Sequence, residues 1–164
     1  MPRTSVIIAA EMAIAQASNT ANQEGINRCS ATLQELDGKI SELNDKKKVL
    51  EDTYLIYSEL KDYIVAHLAE LEETCVCIQE IKSESVSQIS DKIDIALKCA
   101  YDLVTRLDTA INSATEEYNT AYEQKSTYET NLSKGQAQLE TLGTELNEAK
   151  EYEAIEATSL QMQE

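Results

Sequence analysis

Residues 29–50 read CSATLQELDGKISELNDKKKVL, and every third or fourth position in turn is Cys29, Leu33, Leu36, Ile40, Leu43, Lys47 and Leu50. The row continues through Tyr54, Tyr57, Lys61, Ile64, Leu68, Leu71, Cys75 and Ile78. A second row starts at Ile93 and runs through Leu97, Ala100, Val104, Leu107, Ile111, Ala114, Tyr118, Ala121, Lys125, Tyr128, Leu132, Gly135, Leu139, Leu142 and Leu146 to Ala149. Only Lys47, Lys61, Lys125 and Gly135 interrupt the rows. Seams this long belong to coiled-coil helices, because the 3.5-residue repeat keeps one stripe facing one neighbour. Pro2 is the single proline and there are four glycines, so little forbids helix. The Asp37-Gly38 pair lacks the alternating stretches a hairpin of strands needs. The fold class expected is all-α, a long antiparallel coiled-coil hairpin in one domain.

The turn is expected at 82–88, Lys-Ser-Glu-Ser-Val-Ser-Gln, where serine is densest and Ser85 with Gln88 reads as a capping box. The arms are then 25–81 and 89–156, with 157–164 a tail. Folding there opposes residues whose numbers total 171 or 172, such as Ile64 with Leu107, Tyr57 with Ala114 and Leu33 with Leu139. Gly25 comes level with Gly143, Gly38 with Gly135, and Cys75 faces Leu97, close enough to Cys99 for cross-linking. Lys47 opposes Lys125, a polar layer in which Glu51 and Glu129, four residues on, supply the counter-charge. Residues 1–24 either continue the first arm or form a short separate helix, with Met12 and Leu160 resuming the seam. Val6–Ala10 and Ala15-Gln16-Ala17 imitate a signal peptide, but Glu11 divides the apolar run, so a leader is not expected.

Acidic residues number 30 against 14 basic ones, a formal net charge of -16. Nucleic acid and anionic membrane surfaces both require basic faces, so neither is an expected partner. No stretch reaches the ~20 apolar residues of a membrane span. Four cysteines are too few for a disulfide framework, and Cys75-Val76-Cys77 diverges by about 200° on a helix, so reduced thiols in the cytoplasm are expected. Zinc would need His67, the single histidine, together with cysteines of both arms; no metal or other cofactor is expected. No glycine-rich phosphate loop or nucleophile turn occurs, so no catalytic residue is assigned and a non-enzymatic role is expected.

The half of the chain near the turn carries more apolar residues than one seam uses. Ile56, Leu60 and Tyr63 form a second stripe on the first arm; Ile95, Cys99 and Leu103 form one on the second, flanked by Ile89 and Tyr101. A helix that is apolar on two faces expects two neighbours. Ile56, Leu60, Tyr63, Ile95 and Leu103 are therefore the candidate partner-binding residues, for an amphipathic helix of another protein or for self-association.

An acidic helical hairpin of this size resembles the substrates and adaptors of type VII secretion, the Trp-x-Gly helical hairpins and the helical partners of LXG toxins. The Trp-x-Gly turn itself is absent, as there is no Trp. Tyr152 and Glu156 match a Tyr-x-x-x-Asp/Glu export signal. The resemblance implies an adaptor that binds a toxin's N-terminal helical region and leaves the cytoplasm with it, independently of a signal peptide. The other expectation is a structural spacer or scaffold that oligomerises through its turn-proximal half.

Overall fold

A computed structural model describes residues 3–74 and 79–161, with side chains described for 3–67, 70 and 87–159. The chain is an all-α hairpin of two helices, α1 (Ser5–Thr74) and α2 (Gln79–Gln161). No described residue is in a strand. Neither helix contains proline, and no glycine occurs between Gly38 and Gly135. Threonine is tolerated because its hydroxyl donates to the carbonyl four residues back, as at Thr53 (2.7 Å to Val49), Thr115 (2.8 Å to Ile111) and Thr158 (2.8 Å to Ala154).

Two compact units result: Met1–Glu35 with Tyr118–Glu164, and Leu36–Glu117. In the first, Ile8, Ala15 and Leu142 form a buried cluster, with Met12, Leu139, Leu146 and Ala149 packed around it. Residues 5–17 are thus part of α1 and of the seam, where Met12 packs on the Ile8, Ala15 and Leu142 cluster; Leu160, its expected companion, lies outside the described side chains. Gly25 lies against the ring of Tyr128, and Gly135 against Asn19. The N-terminus of α1 is held by α2. The Glu153 carboxylate accepts from the Ser5 backbone N–H (2.9 Å) and from its hydroxyl (2.8 Å), satisfying a donor that the first turn leaves free. Those two bonds, the backbone one first, hold the Glu153 carboxyl below its ordinary pKa. Arg3 bonds Glu145 (2.9 Å) and Glu11 (3.0 Å) beside them.

In the second unit, only Leu36, Ile93 and Ala114 fall in the buried class among the described residues, because two helices make a thin core. Lys47 pairs across the hairpin with Asp108 (2.6 Å) and Lys61 with Asp94 (2.5 Å). Both ammonium groups are raised above the ordinary lysine pKa, chiefly by these carboxylate hydrogen bonds.

Several expectations are corrected. Residues 82–88 lie inside α2, and α1 ends at Thr74, so the reversal does not fall on the serine-rich stretch. Facing residues total about 154 in each unit, not 171 or 172: Asn19 with Gly135, Gly25 with Tyr128, Lys47 with Asp108. Leu139 accordingly packs with Ile8, Ala15 and Leu142 rather than pairing with Leu33. Gly25 does not meet Gly143, which has open space around it, and Gly135 meets Asn19 rather than Gly38. The cross-hairpin partner of Lys47 is an acid instead of Lys125. Its expected neighbour Glu51 is nevertheless 3.6 Å away, and Glu129 is 3.8 Å from Lys125. Cys75, Cys77, Leu68, Leu71 and Ile78 lie outside the described side chains, and the expected Cys75–Cys99 proximity with them. Cys29 is a buried and Cys99 an exposed free thiol.

Candidate protein-binding face

The second unit has two unlike sides flanking its seam. One is crossed by the Lys47–Asp108 and Lys61–Asp94 salt bridges. On the other, Asp45, Asp52, Glu59, Lys92 and Arg106 make no ion pair across the hairpin among the described residues. On this open side α1 presents two rows at seven-residue intervals, Val49-Ile56-Tyr63 and Thr53-Leu60-His67, about 40° apart around the helix. From α2 come Ile89, Ala96 and Leu103, again seven apart. Exposure is 64% at Val49, 64% at Ile56, 60% at Tyr63 and 45% at Leu103. Half-exposed Leu60 and Ile89 complete the surface. Isolated exposed aliphatics need no explanation, but contiguous rows of them mark an interaction surface.

A shallow apolar groove of ≈ 480 Å³ marks one end of this side, lined by Asp45, Lys46, Val49, Leu50, Leu103 and Leu107. It shows directly that α1 and α2 contribute to one surface. Toward the other end His67 stacks on Tyr63 (ring centroids 3.9 Å), and its Nδ1 lies 3.2 Å from the Tyr63 carbonyl oxygen, so the lone histidine is an exposed part of this surface rather than a packed one.

Of the five residues the sequence singled out, Ile56, Leu60, Tyr63 and Leu103 are exposed and share this side. Ile95 is exposed too, but it is eight residues from Leu103 and so turned roughly 80–100° away. It belongs to the back of α2. Leu55, Val65 and Tyr101 are likewise exposed, on the salt-bridged side. Val49 was missed, although its place seven residues before Ile56 is the signal that finds it.

Tyr152 and Glu156 lie one turn apart on the exposed surface of α2 in the first unit. Tyr152 also lines a groove of ≈ 490 Å³ with Arg3, Ile8, Glu145, Glu148 and Ala149. Among the described residues no cluster of His, Cys, Asp and Glu could hold a metal ion, and no helix is long and apolar enough to cross a membrane. Comparison with protein-family models, curated proteins and solved structures finds no match to this chain.

Proposed function

We propose that this chain is a non-enzymatic binding protein whose second unit holds a partner's amphipathic helix along its open apolar side. The observation that carries the reading is the continuous surface of Val49, Ile56, Leu60, Tyr63, Ile89 and Leu103, with the groove between α1 and α2 at one end. A helix laid into such a surface inserts apolar residues at intervals of three and four, the mode by which grooves between helices recognise helical ligands. Where the helix comes from another protein, the type VII resemblance gives it a chemistry, the helical N-terminal region of an LXG-type toxin, with Tyr152 and Glu156 forming part of the export signal. Their exposure leaves both accessible to a secretion apparatus.

Purification from the native host tests the reading. A single stoichiometric helical partner, retained by the natural chain and lost from Leu60→Glu/Leu103→Glu, supports it. A partner bound equally by that variant refutes the assignment of the surface. For the export component, Tyr152→Ala is expected to keep the complex inside the cell; unchanged appearance of the complex in the medium counts against it.

A further inference from the structure

We infer that a second copy of this chain covers the open side of the second unit, with α1 of each copy lying over α2 of the other and the two copies running in the same direction. The inference rests on the reading of that side as a helix-binding surface, and it names the occupant.

Charges that the chain leaves unused flank this side. Asp45, Asp52 and Glu59 recur every seven residues on α1, about 40° beyond Val49, Ile56 and Tyr63 and so at the outermost flank of this side. Lys92 and Arg106 stand fourteen residues apart on α2, with Cys99 midway, beside Ile89 and Leu103. None of these five charges takes part in an ion pair of the chain among the described residues, whereas the opposite side uses Lys47, Lys61, Asp94 and Asp108 in pairs. One edge of the apolar surface is therefore acidic and the other carries two basic residues.

The levels lie close as well. Facing residues here total 155 at both cross-hairpin salt bridges. By that measure Arg106 is level with Val49 and Lys92 with Tyr63, so each base stands about one turn, roughly 6 Å, from an acid (Asp45 and Glu59) on the far edge of the same copy, within reach of its long side chain. Two arrangements place two such surfaces face to face with two-fold symmetry. If the axis runs along the helices, α1 lies over the other copy's α2. Arg106 then reaches toward Asp45 and Lys92 toward Glu59, twice each, while the aliphatic stems of the two bases cover Val49 and Tyr63. If the axis crosses the helices, α1 lies antiparallel over α1. The acidic edge of Asp45, Asp52 and Glu59 then lies along the other copy's acidic edge, and the edge carrying Lys92 and Arg106 along its basic one. Like charges opposed in this way select against the second arrangement. Either way every neighbouring helix pair is antiparallel, so charge alone makes the choice.

The area suffices. With roughly 100 Å² of exposed surface on each of Val49, Ile56, Leu60, Tyr63, Ile89 and Leu103, two copies bury about 1,200 Å², the lower edge of specific interfaces.

Sedimentation equilibrium on the full chain at physiological salt tests the inference. The natural chain is expected to be a dimer. Asp45→Lys/Glu59→Lys makes both edges basic, and Lys92→Glu/Arg106→Glu makes both acidic; each is expected to weaken self-association by about 100-fold or more. An equimolar mixture is expected to regain a 1:1 dimer, since every edge again meets its opposite. The substitutions are on exposed side chains, and circular dichroism verifies that helix is retained. A monomeric natural chain, or charge variants that dimerise like it, overturns the inference. The arrangement is read separately from Cys29→Ala/Cys75→Ser/Cys77→Ser, which leaves Cys99 as the only thiol. Mild oxidation is expected to leave it uncrosslinked, because the two Cys99 residues lie on opposite edges; a Cys99–Cys99 dimer overturns the parallel arrangement. If the natural chain is monomeric but Leu60→Glu/Leu103→Glu still sheds a defined partner, the second copy is the wrong occupant and the helix-binding reading stands. If no partner depends on those leucines either, both fall.

Discussion

Replacing each glycine in turn by alanine separates the hairpin's true pairing from its near equivalents. Alanine in a helix interior is favoured over glycine by about 1 kcal/mol, so the sign at each site depends on what a Cβ would meet. At Gly38 and Gly143 nothing lies within 4 Å, and both substitutions are expected to stabilise by roughly 0.5–1 kcal/mol. At Gly25 the new carbon would stand 2.8 Å from two carbons of the Tyr128 ring and 2.9 Å from a third. Gly25 is buried and an aromatic ring cannot yield as the tip of a flexible side chain would. Overpacking of this kind costs about 1–3 kcal/mol, which outweighs the helix preference and leaves Gly25→Ala destabilising by up to about 2 kcal/mol. Thermal unfolding followed by circular dichroism reads the series, at roughly 2–4 °C per kcal/mol for a chain of this size. The decisive comparison is Gly25→Ala against Gly143→Ala. A pairing in which the two glycines stand level gives them similar effects; opposite signs are expected here. A Gly25→Ala protein as stabilised as Gly143→Ala would refute the contact with Tyr128, and with it the level assigned to the first unit.

Asn19 and Gly135 supply a second test: the Asn19 Oδ1 is buried without a hydrogen-bond partner, against the space that Gly135 leaves. Gly135→Ala is expected to be less damaging in an Asn19→Ala background, and additive effects in a double-mutant cycle would deny the contact. Glu153 has a depressed carboxyl pKa in the folded chain, so its contribution is complete above the ordinary carboxylate value and is lost as pH falls through the lower one. Glu153→Gln should therefore flatten the acid side of the curve of Tm against pH, and an unchanged curve would remove Glu153 from the cap of α1. Lys47 and Lys61 have raised values, so their contribution is present below the ordinary lysine pKa and disappears as pH rises through the folded one. Asp94→Asn/Asp108→Asn should accordingly lower Tm at neutral pH and diminish the loss of stability in alkali.

Periodicity showed which faces meet but not at what level. The seam rows repeat every 3.5 residues, and the difference between totals near 171 and near 154 is about five such repeats, so apolar rows face each other in either case. Leu107 illustrates this: an expected partner of Ile64, it instead lines a groove with Leu50, in a seam that reads equally well both ways. The turn would have decided between them, but the chain has no glycine or proline between Gly38 and Gly135 to mark one. The serines of 82–88 looked like a break and a cap. Serine is only a weak helix breaker, and α2 runs through them. The open side was legible because surplus apolar rows are independent of level; Ile95 was misplaced because nearness in sequence stood in for angle around the helix. Pairings such as Lys47 with Asp108, and the match of Asp45 to Arg106, depend on level and could not be read before it was known.

Whether the apolar side of the second unit binds helices instead of facing water is decided by Leu60→Glu/Leu103→Glu. Both residues are about half exposed and outside the seam, so helix is expected to survive while association is lost. Sedimentation of the natural chain and the variant, each alone and with any co-purified partner, is the measurement. The variant is expected to stay helical and to sediment as a lone chain where the natural protein does not. Unchanged association would contradict it, and a collapse of the circular dichroism signal would show that these leucines belong to the hairpin's own core.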